Sequence, residues 1–191
     1  MMTFTTRYFA VLIIGLLMSG CASSPASRFY VLNANLEQER SESENVDSII
    51  GIRLVSIPEF MDRPQIVERV GDHEIRLAEY DRWAGDLDDN IERVLGSNLS
   101  ALLPDARVIT FPWRRVQRPE TQISVVINRF DGKTGKDIVL EATWDVKRGD
   151  EDDRRVSRVY SGETDGKDYS ALVSTMSSLL AELSQDIAAS L

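Results

Sequence analysis

Ile138-Val139-Leu140-Glu141-Ala142-Thr143-Trp144-Asp145-Val146 is the stretch whose period decides the fold. Ile138, Leu140, Ala142, Trp144 and Val146 fall on one side and Val139, Glu141, Thr143 and Asp145 on the other, the two-residue repeat of a strand with one dry face. Ile123 to Phe130 before it and Val156 to Ser161 after it read as further strands. Asp131-Gly132-Lys133-Thr134-Gly135 and Gly149-Asp150-Glu151-Asp152-Asp153 supply the turns, so the three strands are expected to form an antiparallel meander. The acidic Asp150 to Asp153 cluster lacks the ligand spacing of a calcium-binding EF-hand loop and reads as a solvated hairpin tip.

Upstream of the meander, Ala106 to Trp113 predicts a strand, followed by the Arg/Pro loop Arg114 to Pro119. Ile66 to Val70 and Glu74 to Tyr80 read as a hairpin around Gly71-Asp72, with the lone His73 beside the turn as a solvated residue. Ile50, Ile52 and Leu54 alternate with Ile49, Val55 and Ile57, which suggests a strand covered on both sides. Arg28 to Leu32 reads as a first strand, and the charged, Ser-rich Leu36 to Ser48 as a solvated loop.

Two segments keep a different period. Leu87, Ile91, Val94, Leu95, Leu99, Leu102 and Leu103 make one helical stripe, with acidic residues in the first turn and Pro104 as the stop. Tyr169, Leu172, Val173, Met176, Leu179, Leu180, Leu183, Ile187 and Leu191 make a second stripe, which puts Ser174, Ser177, Ser178, Glu182 and Gln185 outside. Together these elements predict an α+β fold: a mostly antiparallel sheet with two long amphipathic helices packed on one face.

The N-terminal end is of another kind. After Arg7, the apolar run Tyr8 to Met18 is too short to span a bilayer, which takes about 20 residues, but it suits the core of a secretory signal. Ser19-Gly20-Cys21 follows, an arrangement that resembles a lipobox. Residues 1–20 are thus expected to be a lipoprotein signal peptide. Cys21, the only cysteine, would become the mature N-terminus, carrying a thioether-linked diacylglycerol and an N-acyl chain such as palmitate. Two or more acyl chains hold a protein firmly to a membrane where one holds it marginally. Residues 21–27 would be the lipidated tether, and 28–191 a single domain. Ala22 stands where an Asp would signal retention in the inner membrane, so the sorting rule points to the outer membrane.

Composition narrows the function. The chain carries a net charge of −9, and loss of the leader with its single Arg7 makes the mature chain more acidic by one. An acidic surface argues against nucleic acid, which calls for a basic patch. With Cys21 lipidated, no disulfide forms within the chain. No Gly-x-Ser-x-Gly elbow, phosphate-binding loop or His/Cys ligand cluster occurs, and one histidine does not make an ordinary catalytic triad. The expectation is a protein that is not an enzyme and takes no metal and no cofactor beyond its covalent lipid.

Several passages carry a family resemblance: Phe29-Tyr30-x-Leu32, Ile57-Pro58-x-Phe60-x-Asp62-Arg63-Pro64-Gln65-Ile66-Val67, Trp83…Leu87…Ile91-x-Arg93-Val94-Leu95-x-x-Asn98-Leu99, Phe111-Pro112-Trp113 and Phe130-Asp131-Gly132. In this order, with the closing helix, the chain resembles the PqiC-type lipoproteins, the auxiliary lipoprotein component of ABC-type or MCE-type transport systems. The resemblance implies an outer-membrane lipoprotein on the periplasmic face. It would form a homo-oligomeric ring that receives an MCE-domain tunnel protein, working with an inner-membrane permease in lipid transport and membrane integrity. It offers no catalytic residues. The alternative from another class is a structural or pilotin-like assembly lipoprotein, which needs the same anchor and a similar small domain.

Phe60, Met61 and Arg63 sit on a turn stiffened by Pro58 and Pro64, which limits the entropy lost on binding and makes them candidates for partner or subunit contact. The competing reading has Phe60 and Met61 closing one end of the core, with Arg63 paired to Glu59 or Asp81.

Overall fold

The computed structural model describes residues 25–36, 48–149 and 154–191. The leader, Cys21, most of the Leu36 to Ser48 stretch and the Asp150 to Asp153 tip lie outside the described residues. The strands are β1 (Arg28–Tyr30), β2 (Ser48–Ser56), β3 (Gln65–Gly71), β4 (Glu74–Trp83), β5 (Ala106–Thr110), β6 (Thr121–Gly132), β7 (Asp137–Arg148) and β8 (Arg154–Glu163). The helices are α1 (Leu87–Leu102) and α2 (Tyr169–Ser190).

The expected single, mostly antiparallel sheet with both helices on one face is corrected. The strands form two mixed sheets, one of three strands in the order β1-β4-β3 and one of five in the order β5-β2-β6-β7-β8. β1 runs parallel to β4, and β2 has a parallel neighbour on each side, β5 and β6. Only β3 with β4, and β6 with β7 and β8, pair antiparallel. The cause is the crossover: the β3–β4 hairpin and α1 lie between β2 and β5, long enough to bring the chain back to the same end of the sheet, as a parallel pair demands.

β5 stops at Thr110 rather than running on to Trp113. Phe111 joins Pro112 through a cis peptide bond, and residues 111–120 then cross β2 to reach β6. The crossing lies over Gly51, where an added Cβ would fall 2.5 Å from Pro119 Cγ and 2.9 Å from the Trp113 ring. Only a residue without a side chain lets the loop lie this close to the strand.

The core is where the periodicity places it. Ile123, Val125 and Ile127 of β6 and Ile138, Leu140, Ala142 and Trp144 of β7 are buried, as are Leu87, Ile91, Val94, Leu95 and Leu99 of α1. Burying each such large aliphatic side chain stabilises by about 1.5–3 kcal/mol. α1 packs on β2 and β5, α2 on β7 and β8, and the helices pack on each other. The Asp168 carboxylate caps α2 by accepting the Ala171 amide at 2.8 Å.

One face assignment on α2 is also corrected. Ser177, expected outside, is buried, where its hydroxyl accepts the Asn33 amide at 3.1 Å and donates to the Val173 carbonyl at 2.8 Å. A serine that bonds back to its own helix carries little polar cost, so it can enter an apolar stripe.

Candidate interaction surface

The segment between Pro58 and Pro64 is a tight turn clamped to the small sheet. Met61 N–H donates to the Pro58 carbonyl at 2.9 Å, Arg63 N–H to Met61 at 2.8 Å and Trp83 N–H to Pro64 at 2.7 Å. Inside this turn Met61 is buried at 2 % exposure, and Phe60 is half-buried against the same core. Met61, Val67, Trp83, Leu87, Phe130 and Met176 close around one small internal void. Asp81 does not engage Arg63: its carboxylate accepts from Arg28 Nε at 2.8 Å and from the Tyr30 hydroxyl at 2.8 Å. Arg63 is half-buried, and its Nε has no hydrogen-bond partner among the described residues. Of the three candidate contact residues, Phe60 and Arg63 therefore reach the surface and Met61 does not.

Two buried carboxylates join the small sheet to the large one. Asp131 on β6 accepts both arms of the Arg69 guanidinium, at 2.9 Å from Nε and 2.7 Å from Nη2, and Arg129 Nε at 2.8 Å. Glu68 on β3 takes Arg76, the Thr134 amide at 3.0 Å and the Tyr169 hydroxyl at 3.2 Å, so one side chain ties β3, β4, the β6–β7 turn and α2. Burial by itself would raise the Glu68 carboxyl, but Arg76 and the Thr134 amide hold it below its ordinary value. Tyr30 and Tyr169 are each pushed up to about 12, by burial first and then by Asp81 and Glu68 respectively. Every charge here is consumed by a neighbour, which is the arrangement of a brace and not of a reactive centre.

The open surface lies elsewhere. A groove of about 610 Å³ runs between α1 and the free edge of β5, lined by Asp89, Glu92, Gly96, Ser100, Val108 and Thr110 among others. Glu92 is half-buried there, and burial first, then Asp89 and Asp88, raise its carboxyl despite a hydrogen bond from Thr110. None of this was marked by the sequence, because the acidic turn of α1 and the apolar β5 meet only through the fold. His73 is exposed at the tip of the β3–β4 hairpin. Among the described residues no three His, Cys, Asp or Glu side chains gather as metal ligands, and no helix is long and apolar enough to cross a membrane.

Residues 30–188 match the model of the family described as ABC-type transport auxiliary lipoprotein component. The intermembrane transport lipoprotein PqiC of Escherichia coli is 23 % identical over 135 residues, which cover 70 % of this chain and 71 % of PqiC. Among solved structures, an uncharacterized protein superposes with a TM-score of 0.73 at 19 % identity, over 87 % of this chain and 99 % of that one. A Xanthomonas campestris protein gives 0.64 at 16 %, over 85 % and 93 %. Both likenesses concern the fold.

Proposed function

Because the chain belongs to the ABC-type transport auxiliary lipoprotein component family, we propose that it is the lipid-anchored adaptor of an intermembrane transport system. The observation that carries this reading is the extent of the match: 30–188 takes in the whole five-stranded sheet, the small sheet except most of β1, and nearly all of both helices. Similarity to PqiC over 70 % of the chain supports the intermembrane setting. In this reading Cys21 carries diacylglycerol and an N-acyl chain, the body sits on the periplasmic face of the outer membrane, and copies form a ring that receives an MCE-domain tunnel protein and works with an inner-membrane permease. The surface and not a reaction centre does the work, and Phe60 and Arg63 belong to the contact surface.

The test is affinity purification of the native protein from membranes, with mass spectrometry of its N-terminus and of what accompanies it. A triacylated Cys21 and an MCE-domain partner are expected. A water-soluble protein with an unmodified Cys21 overturns the anchor. A secretin or assembly factor in place of the MCE protein overturns the transport role in favour of a pilotin-like one.

A further inference from the structure

Among the described residues the five-stranded sheet ends on two edge strands, β8 with arginines on its helix side and β5 with the acids of α1 beside it. On β8, Arg154 and Arg158 stand opposite Val146 and Ala142 of β7, both buried, so the two arginines lie on the helix side of that edge. On β5, Val108 and Thr110 stand opposite Ile50 and Ile52, again on the helix side, and there Asp89 and Glu92 of α1 line the groove. Among the described residues neither acid is ion-paired, and Arg93, which also lines the groove, donates instead to the Leu32 carbonyl and, at 3.4 Å, to Asn90 Oδ1. Arg158 approaches Asp186 loosely, at 3.8 Å, and donates to the Ser157 carbonyl at 3.5 Å.

Backbone direction agrees. The Phe111 amide donates inward to the Ile52 carbonyl at 2.9 Å, so in the alternation of a strand the amides and carbonyls of Val108 and Thr110 point away from β2, into the groove. β8 is antiparallel to β7, β7 to β6, and β6 and β5 are both parallel to β2. β8 and β5 therefore run the same way. A second copy can lay its β8 along β5 as a parallel strand, with both sheets continuous and both helix layers on one side. Charges on a free edge ordinarily keep it single; here the far edge carries the countercharge.

We infer that copies of this chain join head to tail, β8 of one against β5 of the next, with Arg158 level with Thr110 and its guanidinium on Glu92 and Asp89 in the groove. A head-to-tail contact of this kind closes into a ring when the rotation between copies permits. The inference rests on the ring reading above and names its joint.

The lipidated full-length protein in detergent, followed by native mass spectrometry and sedimentation, provides the test. Arg154→Glu with Arg158→Glu, or Asp89→Lys with Glu92→Lys, each abolish assembly, and all four changes in one chain restore it. Restoration also shows that the reversed edges still fold. Independently, Arg158→Cys with Thr110→Cys gives a ladder of disulfide-linked oligomers under oxidation, and neither change alone does. Within one chain these positions lie on opposite sheet edges, four strand spacings or about 19 Å apart, beyond any disulfide. A wild-type protein that stays monomeric overturns the ring reading and this joint with it. An assembly that survives both reversals, or that gives no ladder, overturns the joint alone.

Discussion

The Asn98 carboxamide donates to the Ser184 hydroxyl at 3.2 Å in the seam between α1 and α2, where both side chains have no exposed surface. The Ser184 hydroxyl in turn donates to the Leu180 carbonyl at 2.6 Å, while Asn98 Oδ1 has no partner among the described residues. The seam thus holds one good hydrogen bond and one orphaned acceptor. Removing the acceptor of the good bond strands the amide, and a stranded buried polar group costs about 1–3 kcal/mol. Ser184→Ala is expected to lose that much in urea unfolding. Replacing the amide with an apolar group of similar shape removes both problems, so Asn98→Leu with Ser184→Ala is expected to be more stable than Ser184→Ala alone.

Position decides what an ion pair contributes. Asp131 is 1 % exposed and holds two guanidinium groups. Asp131→Ala would leave the partly exposed Arg69 and Arg129 without their shared acceptor, and the loss of these charge-assisted hydrogen bonds is expected to cost about 1.5–3 kcal/mol. The Asp145–Arg155 pair is as short, at 2.7 Å, but sits on the solvent face with Arg155 largely exposed. Asp145→Ala is expected to cost no more than about 1 kcal/mol. Equal losses in parallel denaturant titrations would show that burial is not what separates the two.

The titrating groups set a stability window with two shoulders. Glu68 has its folded value lowered from 4.5, so its contribution is present above that value and is lost as pH falls through and below it. Tyr30 and Tyr169 are raised from 10.0 to about 12, so their contribution is complete below pH 10 and disappears as pH climbs from 10 toward 12. Between these limits thermal midpoints are expected to change little, apart from a small fall just above pH 4.5 where Glu92, whose carboxyl is raised, has to ionise in the fold. Glu68→Gln should blunt the acid shoulder. Phenolate absorbance should show at least two tyrosines ionising well above the ordinary range.

What was legible in the sequence follows from how local each signal is. The stripes of α1 and α2 and the alternation of β7 each lie within a few turns or one strand, and they mark most of the buried apolar residues there, while Leu102, Leu103, Tyr169 and Leu191 at the helix ends stay half-buried. The parallel neighbours of β2 were not legible, because Ile50 meets Val108 and Thr121 only after the hairpin, α1 and the 111–120 crossing are in place. Ser177 was hidden for another reason. Hydropathy scores its hydroxyl as outward, yet it is satisfied by its own helix. The candidate contact turn was legible as a turn. That Met61 is inside it and Phe60 only partly depends on where Trp83 and Phe130 come to rest. The groove at β5 needed the two sheet edges to exist before its acids had a place to face.

Two glycines on neighbouring elements give opposite expectations, which makes them a sharp test of the β2 crossing. At Gly51 a Cβ would fall into Pro119 and Trp113. The loop cannot yield without releasing Glu120, whose amide donates to the Ile49 carbonyl at 3.1 Å next to the start of β6. Gly51→Ala is expected to cost about 1–3 kcal/mol, as overpacking does, and Gly51→Val more. Gly96 lies within α1, and a Cβ there would meet Ile52 and Thr110 at an ordinary 3.8 Å. Gly96→Ala keeps every contact and removes the helical penalty of glycine, so it should stabilise by about 0.5–1 kcal/mol. Differential scanning calorimetry of the two single variants decides it. A harmless Gly51→Ala would mean that the loop does not press on β2, and the parallel placement of β6 beside it would have to be redrawn.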